Sequence, residues 1–270
     1  MFSLRTADLR KLNSLTKYPS IPTHHALDPK NGGLLEEVTQ FTGTVIGTEK
    51  VDGTNGRIVL FPDGEWLIGS REDLLTASGD IVHNPALGIV DALRGVAGRA
   101  TSAELGGTDE IIVLYLEVYG STKLPAWKQY GDGAAAVRLF DVASIGSDLP
   151  SWDLDRISAW RQRGGQEFAD ETTLGNVAET CGTQVTPRLF EVDADELPSA
   201  IEPMRAFMEP YRHTLVATSG DPGLNEGIVL RAPDRSVISK ARFQDYDRTL
   251  KRRAKHAGRE VTGVTPQAGR

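Results

Sequence analysis

The stretch Glu49-Lys50-Val51-Asp52-Gly53-Thr54-Asn55-Gly56-Arg57 decides how this chain is read. It sets a lysine beside a short polar turn, with β-prone apolar runs at residues 41–48 and 57–61 on either side. An amine attacks phosphorus only when unprotonated, a form favoured by burial and by nearby cations such as Arg71 or Lys240. Asp52, Thr54 and Asn55 supply short polar groups, and Gly53 and Gly56 are expected to take backbone conformations closed to other residues. Arg57, just beyond the turn, is expected to grip a phosphate or a ribose-side acceptor. A purely structural β-hairpin turn uses the same Asp-Gly and Asn-Gly pairs, so the turn alone leaves both accounts open.

Further strands carry charge in the same unusual way. Ile68-Gly69-Ser70-Arg71-Glu72 ends a strand in an arginine, and Leu114-Tyr115-Leu116-Glu117-Val118-Tyr119-Gly120 embeds a carboxylate in an apolar run. Val137-Arg138-Leu139-Phe140-Asp141-Val142 mixes both characters, and Asn225-Glu226-Gly227-Ile228-Val229-Leu230-Arg231 opens on a carboxylate. In Ser239-Lys240-Ala241-Arg242, the two-residue period of a strand puts both cations on one face. Glu117 and the paired cations are costly there unless an ion, a partner or solvent meets them. Singly, each has an ordinary account as a strand end, a core ring or a solvated face.

Around these segments the pattern predicts a short helix and ordered arm in residues 1–30 and a hairpin through Pro62-Asp63-Gly64. It predicts helices near 89–99, 154–163 and 196–211, strands at 111–119, 134–142, 226–231 and 236–241, and a terminal helix from Phe243. A polar loop at 120–133 holds Lys123, Trp127 and Lys128. Without repeats or a low-complexity linker, one mixed α+β domain over 1–245 with a basic tail at 246–270 is expected.

The chain has 270 residues and a net charge of −7, which argues against wholesale binding to polyanions. From Arg231 to Arg270, however, eleven Lys or Arg face four Asp or Glu, a local +7, leaving −14 on the other 230 residues. On a helix, Arg248, Arg252 and Lys255 share nearly one face with Lys251 beside it, and with Arg253 and Arg259 they form a phosphate-facing element or a solvated one. A single cysteine, Cys181, excludes an internal disulfide and a cysteine-rich zinc cluster, and the five histidines show no ligand spacing. No apolar run is long enough to span a bilayer and no signal peptide is evident, so a cytoplasmic location, or a phage-infected host's cytoplasm, is expected.

Taken together, the segments resemble the covalent nucleotidyltransferase superfamily of polynucleotide ligases and capping enzymes. Lys50-Val51-Asp52-Gly53-Thr54-Asn55 matches its Lys-x-Asp/His-Gly-x-Asn signature, and Glu117-Val118-Tyr119-Gly120 matches its Glu-x-x-Gly strand. Arg138-Leu139-Phe140-Asp141, Glu226-Gly227-Ile228-Val229 and Ser239-Lys240-Ala241-Arg242 match the remaining motifs, all in family order. The Gly53-Thr54-Asn55 turn and Gly69-Ser70-Arg71 look most like the RNA ligase branch typified by the second phage T4 RNA ligase. Two departures stand out: Arg242 replaces the usual final lysine, and only residues 243–270 follow it, far short of an OB-fold.

The resemblance implies an ATP-grasp-like adenylation fold of antiparallel sheets flanked by helices. It implies an ATP-dependent RNA ligase using Mg²⁺ or Mn²⁺ and a lysyl-AMP intermediate on Lys50. By the same resemblance, Asn55, Arg57 and Arg71 contact nucleotide or RNA phosphate, Glu117 the ribose, and Phe140 the adenine, which the backbone beside Glu49 reads. Glu226 binds metal, and Lys240 with Arg242 holds phosphate. RNA ends, nicked or duplex-held, are the implied partners, with a protein partner as the alternative source of end recognition. A DNA ligase, a GTP-using guanylyltransferase and a degenerate binding module are the alternatives.

Overall fold

The computed structural model describes residues 4–105, 109–124 and 126–262, without the side chains of Arg5, Ala86 and residues 256–262. Among the described residues, two main sheets face each other. The larger contains eight strands, with Ala136–Gly146, Glu110–Tyr119, Thr54–Leu60, Trp66–Ser70 and Leu74–Ala77 side by side. The smaller has four, in the order Arg188–Asp193, Thr44–Lys50, Gly227–Arg231, Ile238–Arg242. Pairing is antiparallel apart from the two-residue strand Gln184–Val185, which joins Ala136–Gly146 in parallel. The mixed α+β architecture with flanking helices is therefore the one expected.

Alternation along each strand builds the layers. On the larger sheet, Ile58, Leu60, Leu114, Leu116 and Val118 point to one face, where the helix Ile89–Ser102 covers them with Ile89, Leu93 and Val96. Val59, Phe61, Val113 and Tyr115 point to the other, against Leu12 and Leu15 of the helix Leu9–Thr16. The smaller sheet buries Ile228, Leu230 and Ala241 beneath Met204 and Met208 of the helix Ile201–Met208 and Phe243 and Tyr246 of the helix Phe243–Thr262.

The lysine turn is not a hairpin. Thr44–Lys50 belongs to the smaller sheet and Thr54–Leu60 to the larger, so residues 51–53 cross between them. Gly53 and Gly56 lie outside the positive-φ residues, so their conformation is open to any residue. Space is what requires them: a Cβ on Gly53 would meet the Val118 carbonyl oxygen at 2.2 Å, and one on Gly56 the Leu93 side chain at 2.7 Å.

The basic end continues as the helix Phe243–Thr262, docked by Phe243 and Tyr246. Residues 263–270, the end of the expected basic tail, lie outside the described ones, as do the side chains of His256 and Arg259. No helix among the described residues is long and apolar enough to cross a membrane.

Candidate active site

Between the sheets lies a cleft of about 440 Å³. The register of the smaller sheet fixes one wall. Lys50 is opposite Gly227, which is opposite Arg242; one row deeper, Thr48, Val229 and Lys240 are aligned. Residues directly opposed across an antiparallel pair share a face, so Lys50, Lys240 and Arg242 all reach the same cleft. At a strand spacing of about 4.8 Å, Lys50 and Arg242 stand roughly 10 Å apart with only the glycine between them.

The facing wall comes from the larger sheet. Asn55 is opposite Glu117, and both line the cleft. A β-bulge supplies the aromatic: Tyr115 is opposite Asp141 and Leu116 opposite Leu139, so Phe140 is left over. The extra residue turns Phe140 as well as Asp141 toward the cleft. Phe140 rests edge-on against Tyr18, 5.0 Å between centroids, and its freed carbonyl accepts from Arg231 Nη1 at 3.0 Å.

Electrostatics follow from this crowding. The Lys50 ammonium is ion-paired with Glu226, both about one-quarter exposed. Burial pushes the Glu117 carboxyl up to about 8, opposed by Lys50 and reinforced by Glu226 and Asp52, while Gly53 N donates to its Oε1 at 3.2 Å. Burial lowers the pKa of Lys240 below the usual lysine range, and Arg242, Lys50 and Arg71 push the same way. Asp52 is raised, mainly by burial and then by Glu226. Glu49 lines the cleft, but its carboxylate is held by the Thr214 hydroxyl and by Leu215 N at 2.8 Å. Arg71 sits exposed at the rim, and Arg242 Nε bonds Asp245 at 2.8 Å.

Arg57 is the exception among the residues singled out. It follows Asn55 on the same strand face but lies deeper, fully buried beneath the helix Leu9–Thr16, with Nη2 donating to Asn13 Oδ1. It does not line the cleft. The strand carries it past the cleft into the core, and its contact with nucleotide or phosphate stays an expectation. The arginines of the terminal helix are also engaged: Arg248 with Gly32 O at 2.6 Å, Arg252 with Asn31 Oδ1 at 2.6 Å and Arg253 with Glu36 at 2.6 Å. They brace the helix on the hairpin of His25–Leu27 and Leu34–Val38.

Sequence reasoning gave no role to several residues that shape the cleft. Tyr130 accepts from Asp52 N at 2.5 Å and packs with Val51, Tyr119 and Val216, clamping the lysine turn. Behind Phe140, Arg231 meets Asp141 at 3.3 Å and Glu171 at 2.8 Å, and Arg235 meets Asp141 at 2.9 Å. Tyr18 OH donates to the same carboxylate at 2.5 Å. The signal available was the pair of charges, Asp141 and Arg231, at apolar strand positions. Cys181 is buried, its thiol pushed up to about 11 by burial, and plays no part in the cleft.

Comparison with solved structures finds the fold in the Naegleria gruberi RNA ligase. A mutant of that enzyme with ATP and manganese aligns with TM-score 0.50 at 13% identity, over 88% of this chain and 63% of that one. An apo mutant aligns with TM-score 0.50 at 13% identity over 89% and 62%, and the complex with pyrophosphate with TM-score 0.50 at 15% identity over 87% and 64%. The chain thus spans somewhat under two thirds of that ligase's length. No curated protein sequence matches the chain. The RNA ligase family profile matches residues 43–253, most of the chain and every motif that lines the cleft. The chain belongs to the RNA ligase family.

Proposed function

We propose that this protein is an ATP-dependent RNA ligase that joins a 3′-hydroxyl to a 5′-phosphate through a lysyl-AMP intermediate on Lys50. The observation that carries the proposal is convergence: Lys50, Glu117, Phe140, Lys240 and Arg242, from four strands of two sheets, and Glu226, just before a fifth, line one cleft. Family membership supports the same reading, and the Naegleria enzyme's complexes with ATP, manganese and pyrophosphate fit it.

In the first step Lys50 Nζ attacks the α-phosphorus of ATP; a nitrogen–phosphorus bond forms, the bond to the β-phosphate oxygen breaks, and pyrophosphate leaves. The amine must be neutral to attack, and the Glu226 carboxylate that contacts it is the adjacent acceptor for its proton. A 5′-phosphate oxygen of the RNA then displaces the lysine, and a 3′-hydroxyl finally displaces AMP. Each transfer builds charge on non-bridging oxygens, which Lys240 and Arg242 stabilise from their fixed places on the wall. The bulge-presented Phe140 ring stacks on the base, and Glu117 accepts from the ribose. The backbone beside Glu49 reads the base edge, and Arg71 meets phosphate at the rim.

A bound divalent cation would neutralise the triphosphate. Among the described residues no three His, Cys, Asp or Glu side chains cluster as ligands. Glu226, in the cleft against Lys50, fits a Mg²⁺-type site that rests on one or two carboxylates, with substrate oxygens completing the shell. The buried Asn55 Oδ1, which has no hydrogen-bond partner, is a further acceptor facing the substrate. RNA ends held at a nick or in a duplex, and a cytoplasmic setting, belong to the same proposal.

The test is incubation with Mg²⁺ and α-labelled ATP or GTP, read by denaturing gel and intact mass, with Lys50→Ala alongside. An AMP adduct with ATP and wild type alone is expected, followed by sealing of RNA nicks over DNA nicks of the same sequence. Labelling of Lys50→Ala, or labelling by GTP alone, would overturn the assignment.

A further inference from the structure

A second groove opens where the cleft ends. It has a volume of about 520 Å³ and shares Lys240 and Arg242 with the cleft, so the two adjoin at these cations. Its floor is the N-terminal arm, which is stitched to the edge of the smaller sheet: Lys240 N donates to Pro22 O at 2.9 Å and His24 N donates to Lys240 O at 2.8 Å. Its far wall is the hairpin that carries Leu27, Glu37 and Val38.

The lining divides by chemistry. At the cleft end stand two cations, and Lys240 Nζ has no hydrogen-bond or ion-pair partner among the described residues. Along the groove Pro22, Leu27 and Val38 present apolar surface, with Leu27 41% exposed. Glu37 is exposed and likewise has no partner among the described residues. Pyrophosphate suits such a groove poorly, since its charge would meet apolar walls and a carboxylate. A nucleotide suits it well. The phosphate lies at the cations, the base lies on apolar surface, and the carboxylate accepts from a sugar hydroxyl, the group that distinguishes RNA from DNA. A site of this size is ample for one nucleotide.

We propose that this groove holds the 5′-terminal nucleotide of the RNA strand, with its phosphate at Lys240 and Arg242 and its 2′-hydroxyl donating to Glu37. The assignment rests on the ligase reading, because that phosphate is the one to be activated. The same hairpin is braced by Arg248, Arg252 and Arg253 of the terminal helix, which holds the far wall of the groove in place.

The experiment separates the steps. Wild type, Leu27→Glu and Glu37→Ala are charged with ATP and Mg²⁺, freed of nucleotide, then given either pyrophosphate or a 5′-phosphorylated RNA 12-mer. Leu27→Glu is expected to form lysyl-AMP and to reverse with pyrophosphate like wild type. Its transfer of AMP to RNA should fall by about tenfold or more, through like charge and lost apolar contact. In Glu37→Ala, transfer to RNA and to the same strand with a single 5′-terminal deoxynucleotide should converge in rate. Unchanged transfer in Leu27→Glu, or a loss of pyrophosphate reversal alongside it, would overturn the proposal. Unchanged discrimination in Glu37→Ala would overturn the role of its carboxylate. If wild type forms no adduct, the ligase reading itself fails. Anisotropy of a labelled 5′-phosphorylated RNA on wild type and Leu27→Glu then decides the groove alone: equal affinities reject it, weaker binding by the variant supports it.

Discussion

The guanidinium of Arg231 donates to the carbonyl oxygen of Phe140 at 3.0 Å, joining the end of a strand in the smaller sheet to the bulge in the larger one. The same side chain, 3% exposed, pairs with Asp141 and Glu171. It therefore holds the two sheets at a fixed separation behind the candidate base site. Arg231→Ala would take a partner from the buried Asp141 and the partly buried Glu171 and free the bulge carbonyl. The expected loss is about 3–5 kcal/mol in urea unfolding. Adenylylation at a temperature where the variant is folded should show a raised KM for ATP, because Phe140 is no longer fixed.

Glu117 makes stability depend on pH. Its folded pKa, about 8, lies above the ordinary glutamate value of 4.5, so the folded state binds the proton more tightly than the unfolded chain. Its contribution is thus fully favourable below about pH 4.5 and declines as pH rises toward about 8. Glu117→Gln removes this decline. Melting temperatures of the two proteins should nearly coincide at low pH and separate, with the variant higher, by pH 8. Parallel curves across that range would mean that Glu117 is ionised without cost.

Much of the fold was legible because it is local. The turn at Pro62-Asp63-Gly64 does join two paired strands, and the Ile89–Ser102 helix follows its apolar spacing. The helix Glu171–Thr180 was missed, since it is rich in threonine, buries only Leu174 and Ala178, and depends on the Asp170 cap. The edge strand Arg188–Asp193 was missed for want of a fully buried face. A hairpin through the strands flanking Lys50 stayed open because sequence reports that strands are adjacent, never which sheet they join. The Phe140 bulge is a matter of register between distant strands, and Arg57 differs from Asn55 only in depth. Neither leaves a trace in residue type.

Arg57 and Asn13 give a stability test that should spare the chemistry. Arg57 is buried, its pKa lowered to about 10 by burial, and its Nε and Nη1 lack hydrogen-bond partners. Asn13→Ala removes the acceptor of its Nη2 and should cost about 1–3 kcal/mol. Arg57→Met, which removes the buried charge and keeps the packing, should cost little or stabilise the fold. Lysyl-AMP formation should be unchanged in both, and a selective loss in Arg57→Met would return Arg57 to the phosphate path.

The terminal helix should divide by partner. Arg248, Arg252 and Arg253 are tied to the hairpin, whereas Lys251 and Lys255 have no side-chain partner among the described residues. Alanine at Arg252 should lower stability by about 1 kcal/mol. Alanine at both Lys251 and Lys255 should leave stability alone. If the helix meets RNA phosphates, the double variant should flatten the slope of log affinity against log salt by about 1–2. An unchanged slope would leave the helix as a solvated brace for the hairpin.

In the proposed reaction, Glu226 is the residue on which metal and nucleophile would meet. Its carboxylate contacts the Lys50 amine and, in the proposed reaction, supports the cation. Glu226→Gln keeps the shape and removes the charge. An ion pair this exposed contributes about 0–1 kcal/mol to stability, so the variant should fold normally. Adenylylation should nevertheless fall by about 10–100-fold, the usual cost of altering a ligand or its support. Raised Mg²⁺ should recover part of that loss if Glu226 serves the cation. If it serves only to take the proton from Lys50, raised pH should recover the rate and Mg²⁺ should not. A variant rate equal to that of wild type would mean that the ion pair merely parks the lysine in the free enzyme.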